Sequence, residues 1–202
     1  DDQEVHILGY FMDFRNKKIL ITGGAGFIGS NLAFYFQENY PTCKVVVFDI
    51  FRSEATFSNG NLKSFGHFKN LLGFRGEVIS GDINDALALE ELSSYQFDII
   101  FHEAAISDTT VLDQNIMVKT NVNAFKNILE LAKKSNATVV YASSAATYGN
   151  APSPQRVGHE QPQNVYGFSK LSMDNLAAEF CKQNPTMSII GLRYFNVYGP
   201  RE

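Results

Sequence analysis

The chain has 202 residues, 45% of them apolar, enough to bury one substantial core and form a single domain. Its 17 basic and 21 acidic side chains leave a mildly acidic balance that argues against nucleic-acid binding, and no apolar run approaches the roughly 20 residues that span a bilayer. Asp1-Asp2-Gln3-Glu4 lacks the start of a signal peptide, Cys43 and Cys181 show no CxxC spacing, and His6, His67, His102 and His159 form no metal-ligand cluster. The expectation is a cytoplasmic protein with reduced thiols and no metal.

Residues 1–16 read as an N-terminal extension and residues 17–202 as the domain. Short apolar runs then alternate with helical patterns. Strands are expected at Lys18–Thr22, Lys44–Asp49, Glu77–Asp82, Phe97–His102, Thr138–Ala142 and Met187–Arg193. Helices are expected at Phe27–Asn39, Ala86–Tyr95, Val118–Ser135 and Tyr166–Lys182, with irregular chain over 50–75. Strands apolar on both faces and separated by helices imply a doubly wound α/β fold, a parallel sheet covered on both sides.

The first strand runs into Thr22-Gly23-Gly24-Ala25-Gly26-Phe27-Ile28-Gly29, and a helix opens directly after it. Glycines in that context permit a tight turn and close approach of backbone to a pyrophosphate, with the helix N-terminus aimed at the phosphates. Asp49 ends the next strand, where an acid would accept ribose hydroxyls and favour NAD. Arg52 could instead hold a 2′-phosphate, or be a solvated loop charge. Asp82-Ile83 is placed to border an adenine, with a helix N-cap as the alternative for Asp82.

Tyr166 and Lys170 lie four apart on a predicted helix, hence on one face. An ammonium beside a phenol lowers the phenol pKa, which makes Tyr166 a candidate general base. Upstream, Ser143 and Ser144 end a strand at the sheet edge where α/β active sites form. They could equally cap a turn.

The Ser/Tyr/Lys set, with the glycine loop, resembles the extended short-chain dehydrogenase/reductases. Longer strings narrow the resemblance: His102–Thr110, Tyr141–Gly149, Asn164–Lys170 and Arg193–Glu202 are similar to those of the ADP-L-glycero-D-manno-heptose 6-epimerases of lipopolysaccharide synthesis. The resemblance implies a Rossmann domain that retains NADP, with NAD as the alternative. It also implies oxidation of the heptose C6 to a ketone and its reduction on the opposite face. Ser144, with Ser143 as fallback, would orient the hydroxyl, Tyr166 exchange its proton, and Lys170 hold the nicotinamide ribose.

Carried over position by position, the implied cofactor site comprises Gly23, Gly26, Phe27, Ile28, Gly29, Asp49, Ile50, Arg52, Asp82, Ile83, Ala104, Ala105, Asn121, Tyr166, Lys170 and Val197. Ser107, Asp108, Thr109, Ser144 and Asn196 would meet the ADP-heptose. For Ser107–Thr110 the alternative is a polar helix cap, and for Asn121 a solvent-facing side chain. His102 and His159 read as structural. The resemblance places a second acid/base, a lysine, shortly after Glu202, together with most of the substrate domain, so poor turnover or none is expected of these 202 residues alone. A homo-oligomer is compatible with it. Two rivals remain. One is another nucleotide-sugar 4-epimerase or 4,6-dehydratase, though Ala145-Ala146-Thr147 lacks the acidic pair usual in dehydratases. The other is a non-catalytic NADP-binding module, for which an intact proton-transfer set has no use.

Overall fold

The structure, a computed structural model, describes residues 13–202. Asp1–Glu4, His6 and most of the proposed extension lie outside the described residues. Six strands, β1 (Lys18–Thr22), β2 (Lys44–Asp49), β3 (Glu77–Ser80), β4 (Ile99–His102), β5 (Thr138–Ser144) and β6 (Ile189–Tyr194), form one sheet in the order β3-β2-β1-β4-β5-β6. Every neighbouring pair is parallel, with Leu20 opposite Val46 on one side and Ile100 on the other.

Alternation along the strands divides the core into two layers. Ile19, Ile21, Val45, Val47 and Ile99 pack with Ala33 and Phe36 of α1 (Phe27–Asn39). Leu20, Val46, Phe48, Ile100 and Val139 face the opposite layer, built from α2 (Ala86–Ser93), α4 (Ala124–Ser135) and α5 (Val165–Gln183). Phe14, before the first strand, meets Phe36 and Tyr40 edge to face, with ring centroids 5.1 Å apart in each pair. Among the described residues, no helix is long and apolar enough to cross a membrane.

The expected elements are all present, with shifted ends. β3 stops at Ser80 because the Asp82 carboxylate accepts the Asn84 N–H at 2.8 Å and turns the chain, and β4 starts two residues late. β5 runs on through Ser143 and Ser144. The helix expected from Val118 begins earlier, as α3 (Gln114–Val118), because Asp113 caps it by accepting the Ile116 N–H. It then widens into a π-turn over Lys119–Asn123 before α4. The wide turn directs Asn121 inward, where it is fully buried.

Candidate active site

The turn after β1 holds glycines under different constraints. Gly23 has φ of 68°, and a Cβ there would meet the Ala104 nitrogen at 2.7 Å. Gly29 packs so tightly that a Cβ would overlap the Gly23 carbonyl oxygen. Gly26 differs: a Cβ there would meet only that same oxygen, at 3.2 Å, so the packed protein hardly requires a glycine. Gly26 is also the N-cap of α1 and supplies no side-chain acceptor, which leaves the first-turn N–H groups open.

Those groups face a cavity of about 960 Å³. It lies outside the C-terminal ends of β1 and β4, where the strand order reverses, the crevice in which such sheets bind ligands. Gly23, Gly26, Phe27, Ile28, Gly29, Asp49, Ile50, Arg52, Asp82, Ile83, Ala104 and Ala105 line it, as expected from sequence, and so does Ser107. The open cradle at Gly26 and the bare helix N-terminus fit a dinucleotide pyrophosphate. Lys63 and Lys69, with Arg52, place three cations on the wall beside Asp49.

Several side chains do something other than expected. Asp49 is buried, and its two oxygens accept the N–H groups of Ala25 and Phe51 at 2.9 Å each. Burial pushes its carboxyl up, against those hydrogen bonds. It thus pins the glycine loop to the end of β2. Asp82 builds the turn after β3, while Asp85 is the N-cap of α2 and accepts from Leu87, which corrects the cap alternative for Asp82. Asp108 is bound by Thr110, Asn59 and Asn61, and these partners hold its carboxyl well below the usual range. It clamps two loops and caps no helix, since Asp113 caps α3. Thr109 and Asn196 are exposed, and Val197 lines a neighbouring apolar groove with Phe27 and Ile28.

Asn121 is not solvent-facing. Its amide exchanges two hydrogen bonds with the Ile106 backbone, at 2.8 and 3.0 Å, and donates to Ser169 Oγ at 3.0 Å. It therefore ties the loop after β4 to α5, beneath the cavity. His102 is likewise structural: it is buried, 2.8 Å from Thr22 Oγ1, and stacked on Phe125, and burial pushes its imidazole down to about 3.

Ser144, Tyr166 and Lys170 converge at the C-terminal end of β5. The Ser144 hydroxyl accepts from the Ala146 N–H at 3.1 Å, so it caps the short 3-10 turn over 145–147 as well as facing Tyr166. Asn164 caps α5 by accepting the Gly167 N–H at 2.7 Å, and the Gly167 backbone lies against Ala146. These contacts set the helix so that Tyr166 packs on Ile106, Val111 and Met117. Lys170 is fully buried; its Nζ donates to the Ala142 carbonyl at 2.7 Å and lies 5.8 Å from the centre of the Tyr166 ring.

The phenol is not depressed as the Tyr/Lys spacing predicts. Burial pushes Tyr166 up, and only the Ser144 hydroxyl opposes it. Lys170 is itself pushed down to about 8 by burial, with Glu103 and Asp174 holding it up. Glu103 escaped the sequence reading altogether. It follows β4, lines the cavity, and is pushed up to about 7 by burial. The available signal was an acid placed immediately after a buried strand.

This fold and this site fit a dinucleotide and bring a serine, a tyrosine and a lysine together. The chain belongs to the NAD dependent epimerase/dehydratase family, whose model matches residues 19–202. It is 37% identical over 189 residues to the ADP-L-glycero-D-manno-heptose-6-epimerase of Brachyspira hyodysenteriae, covering 91% of this chain and 56% of that one. The crystal structure of the Helicobacter pylori ADP-L-glycero-D-manno-heptose-6-epimerase superposes with a TM-score of 0.84 at 55% identity, over 96% of this chain and 60% of that one. The Bacillus anthracis dTDP-glucose 4,6-dehydratase, solved in complex with NAD, gives 0.75 at 29% identity, over 92% and 57%. The chain thus spans a little over half the length of the relatives it matches.

Proposed function

We propose that residues 17–202 form the cofactor-holding domain of an NADP-dependent enzyme that inverts C6 of ADP-glycero-manno-heptose. The observation that carries this reading is the convergence of Ser144, Tyr166 and Lys170 at the C-terminal end of β5, where Tyr166 packs in the cluster of Ile106, a residue of the cavity wall. The similarity to two ADP-heptose epimerases supports it and favours C6 over the C4 chemistry of the wider family. A nicotinamide bound here supplies a reversible hydride acceptor. Ser144 orients the sugar hydroxyl, and Tyr166 moves the proton at that oxygen. Because burial keeps the phenol protonated at rest, Tyr166 stands ready to donate to a ketone oxygen, and the Ser144 hydroxyl favours the reverse transfer. The open N–H groups at Gly26–Gly29 hold the pyrophosphate.

The choice of NADP over NAD rests on the cavity wall. Asp49 has both oxygens engaged by backbone N–H groups, whereas Arg52, Lys63 and Lys69 line the same cavity. A 2′-phosphate fits that balance of charge better than free ribose hydroxyls. Nucleotide substrates and cofactors of this kind accord with a cytoplasmic location.

The reading is tested by incubating the protein with NADP and ADP-D-glycero-D-manno-heptose and following both C6 epimers by NMR. Exchange at C6, slower than a site with both acid/base groups would give, is the expected result, and inversion at C4 instead would assign the protein to another branch of the family. In binding assays, Arg52→Glu should weaken NADP at least about tenfold more than NAD. Equal losses would place Arg52 among the solvated loop charges.

A further inference from the structure

Lys170 is buried and the oppositely charged Glu103 partly so, and among the described residues neither forms a salt bridge. Lys170 is 2% exposed, with its Nζ held by one backbone carbonyl. Glu103, across the same end of the sheet, has one oxygen 3.4 Å from the Tyr194 hydroxyl, while its Oε2 is buried with no partner. A buried charge without a compensating charge is costly, by several kcal/mol. The other acid near Lys170 is Asp174. Its carboxylate is already bound by Arg193 at 2.9 and 3.0 Å and by the Tyr141 hydroxyl at 2.8 Å.

We propose that Glu103 is the counter-charge of Lys170: the carboxylate at the end of β4 keeps the buried ammonium charged and in place beneath Tyr166. Glu103 is thereby a positioning residue, acting on the phenol through the lysine. The inference rests on the reading of Tyr166 and Lys170 as the proton-transfer pair.

The groups facing this pair narrow what can titrate there. From β4, His102 is pushed down to about 3 by burial and stays neutral. From β5 and β6, burial raises the Tyr141 and Tyr194 phenols, and from α5 it raises Tyr166, so all three stay protonated. Arg193 is raised further by Tyr148, Glu160 and Asp174, against its own burial, and stays charged. Near neutrality that leaves Glu103, pushed up to about 7, and Lys170, pushed down to about 8, as the pair whose charges change. Each favours the charged form of the other, so their titrations are coupled. Removing the carboxylate must lower the lysine's midpoint further.

The test is a pH titration by NMR of protein carrying lysine labelled with carbon-13 at Cε, with Lys170 assigned by the resonance lost in Lys170→Met. Glu103→Gln should lower the Lys170 midpoint by about one pH unit, and Glu103→Asp should restore part of the shift. A midpoint in folded Glu103→Gln equal to that of the parent would overturn the proposal. If Glu103→Gln does not fold, the parent labelled at the glutamate carboxyl carbons decides. An inflection of Glu103 near neutrality that tracks Lys170 supports the pair. An inflection in the ordinary carboxylate range, independent of Lys170, overturns it. Neither measurement needs turnover, so loss of the epimerase reading and loss of this one are separable.

Discussion

At the scale of single residues, one motif contains glycines present for different reasons. A Cβ at Gly29 would overlap the Gly23 carbonyl, whereas at Gly26 it would meet one atom at 3.2 Å and otherwise project into the cavity. Gly29→Ala should therefore destabilise the fold by about 3 kcal/mol through overpacking. Gly26→Ala should leave the denaturation midpoint nearly unchanged and weaken NADP at least about tenfold. Denaturant titration and cofactor binding on the two variants check this; equal destabilisation by both would remove the case for Gly26 as the pyrophosphate cradle. The positions of such residues were legible in the sequence, but their partners were not. Asp49 was visible at a strand end, yet its engagement with Ala25 depends on how the glycine loop folds back. Tyr166 and Lys170 were visibly on one helix face, but the burial that raises the phenol comes from Ile106, Val111 and Met117, distant in sequence.

At the scale of elements, the segment before α5 is held by a charge cluster rather than by regular structure. Arg193 on β6 bonds Glu160 at 2.6 Å and Asp174 at 2.9 Å, with all three side chains no more than 15% exposed. Its guanidinium also lies 4.7 Å from the Tyr148 ring centre. The cluster thus joins β6, the 148–164 segment and α5, and fixes the approach to Ser144 and Tyr166. Arg193→Met would leave two buried carboxylates without their partner and should cost about 3–5 kcal/mol in denaturant titrations. A loss of less than about 1 kcal/mol would show the pairing to be a surface feature. Helical spacing of apolar residues sufficed to find α4 and α5. It missed the π-turn because the inward rotation of Asn121 answers to the Ile106 backbone, a partner no local pattern encodes.

At the scale of the molecule, the doubly wound parallel sheet was legible because most strands are apolar on both faces and each connection is a helix or a long loop, which leaves few topologies. The order β3-β2-β1-β4-β5-β6 puts the strand reversal between β1 and β4, and so places the glycine loop and the Glu103–Ser107 segment around one crevice, with the β5 end and Ser144 next along the sheet. Sequence motifs named the first and last of these. The Glu103–Lys170 pairing needed three elements brought together. The central claim is that Tyr166 moves the proton at C6. Its most direct test compares parent and Tyr166→Phe at equal NADP occupancy, with C6 exchange of ADP-D-glycero-D-manno-heptose followed by NMR. The substitution removes one hydroxyl and little volume, so cofactor affinity should be retained while exchange slows by about 10²–10⁴-fold. Exchange at the parent rate in Tyr166→Phe would contradict the account.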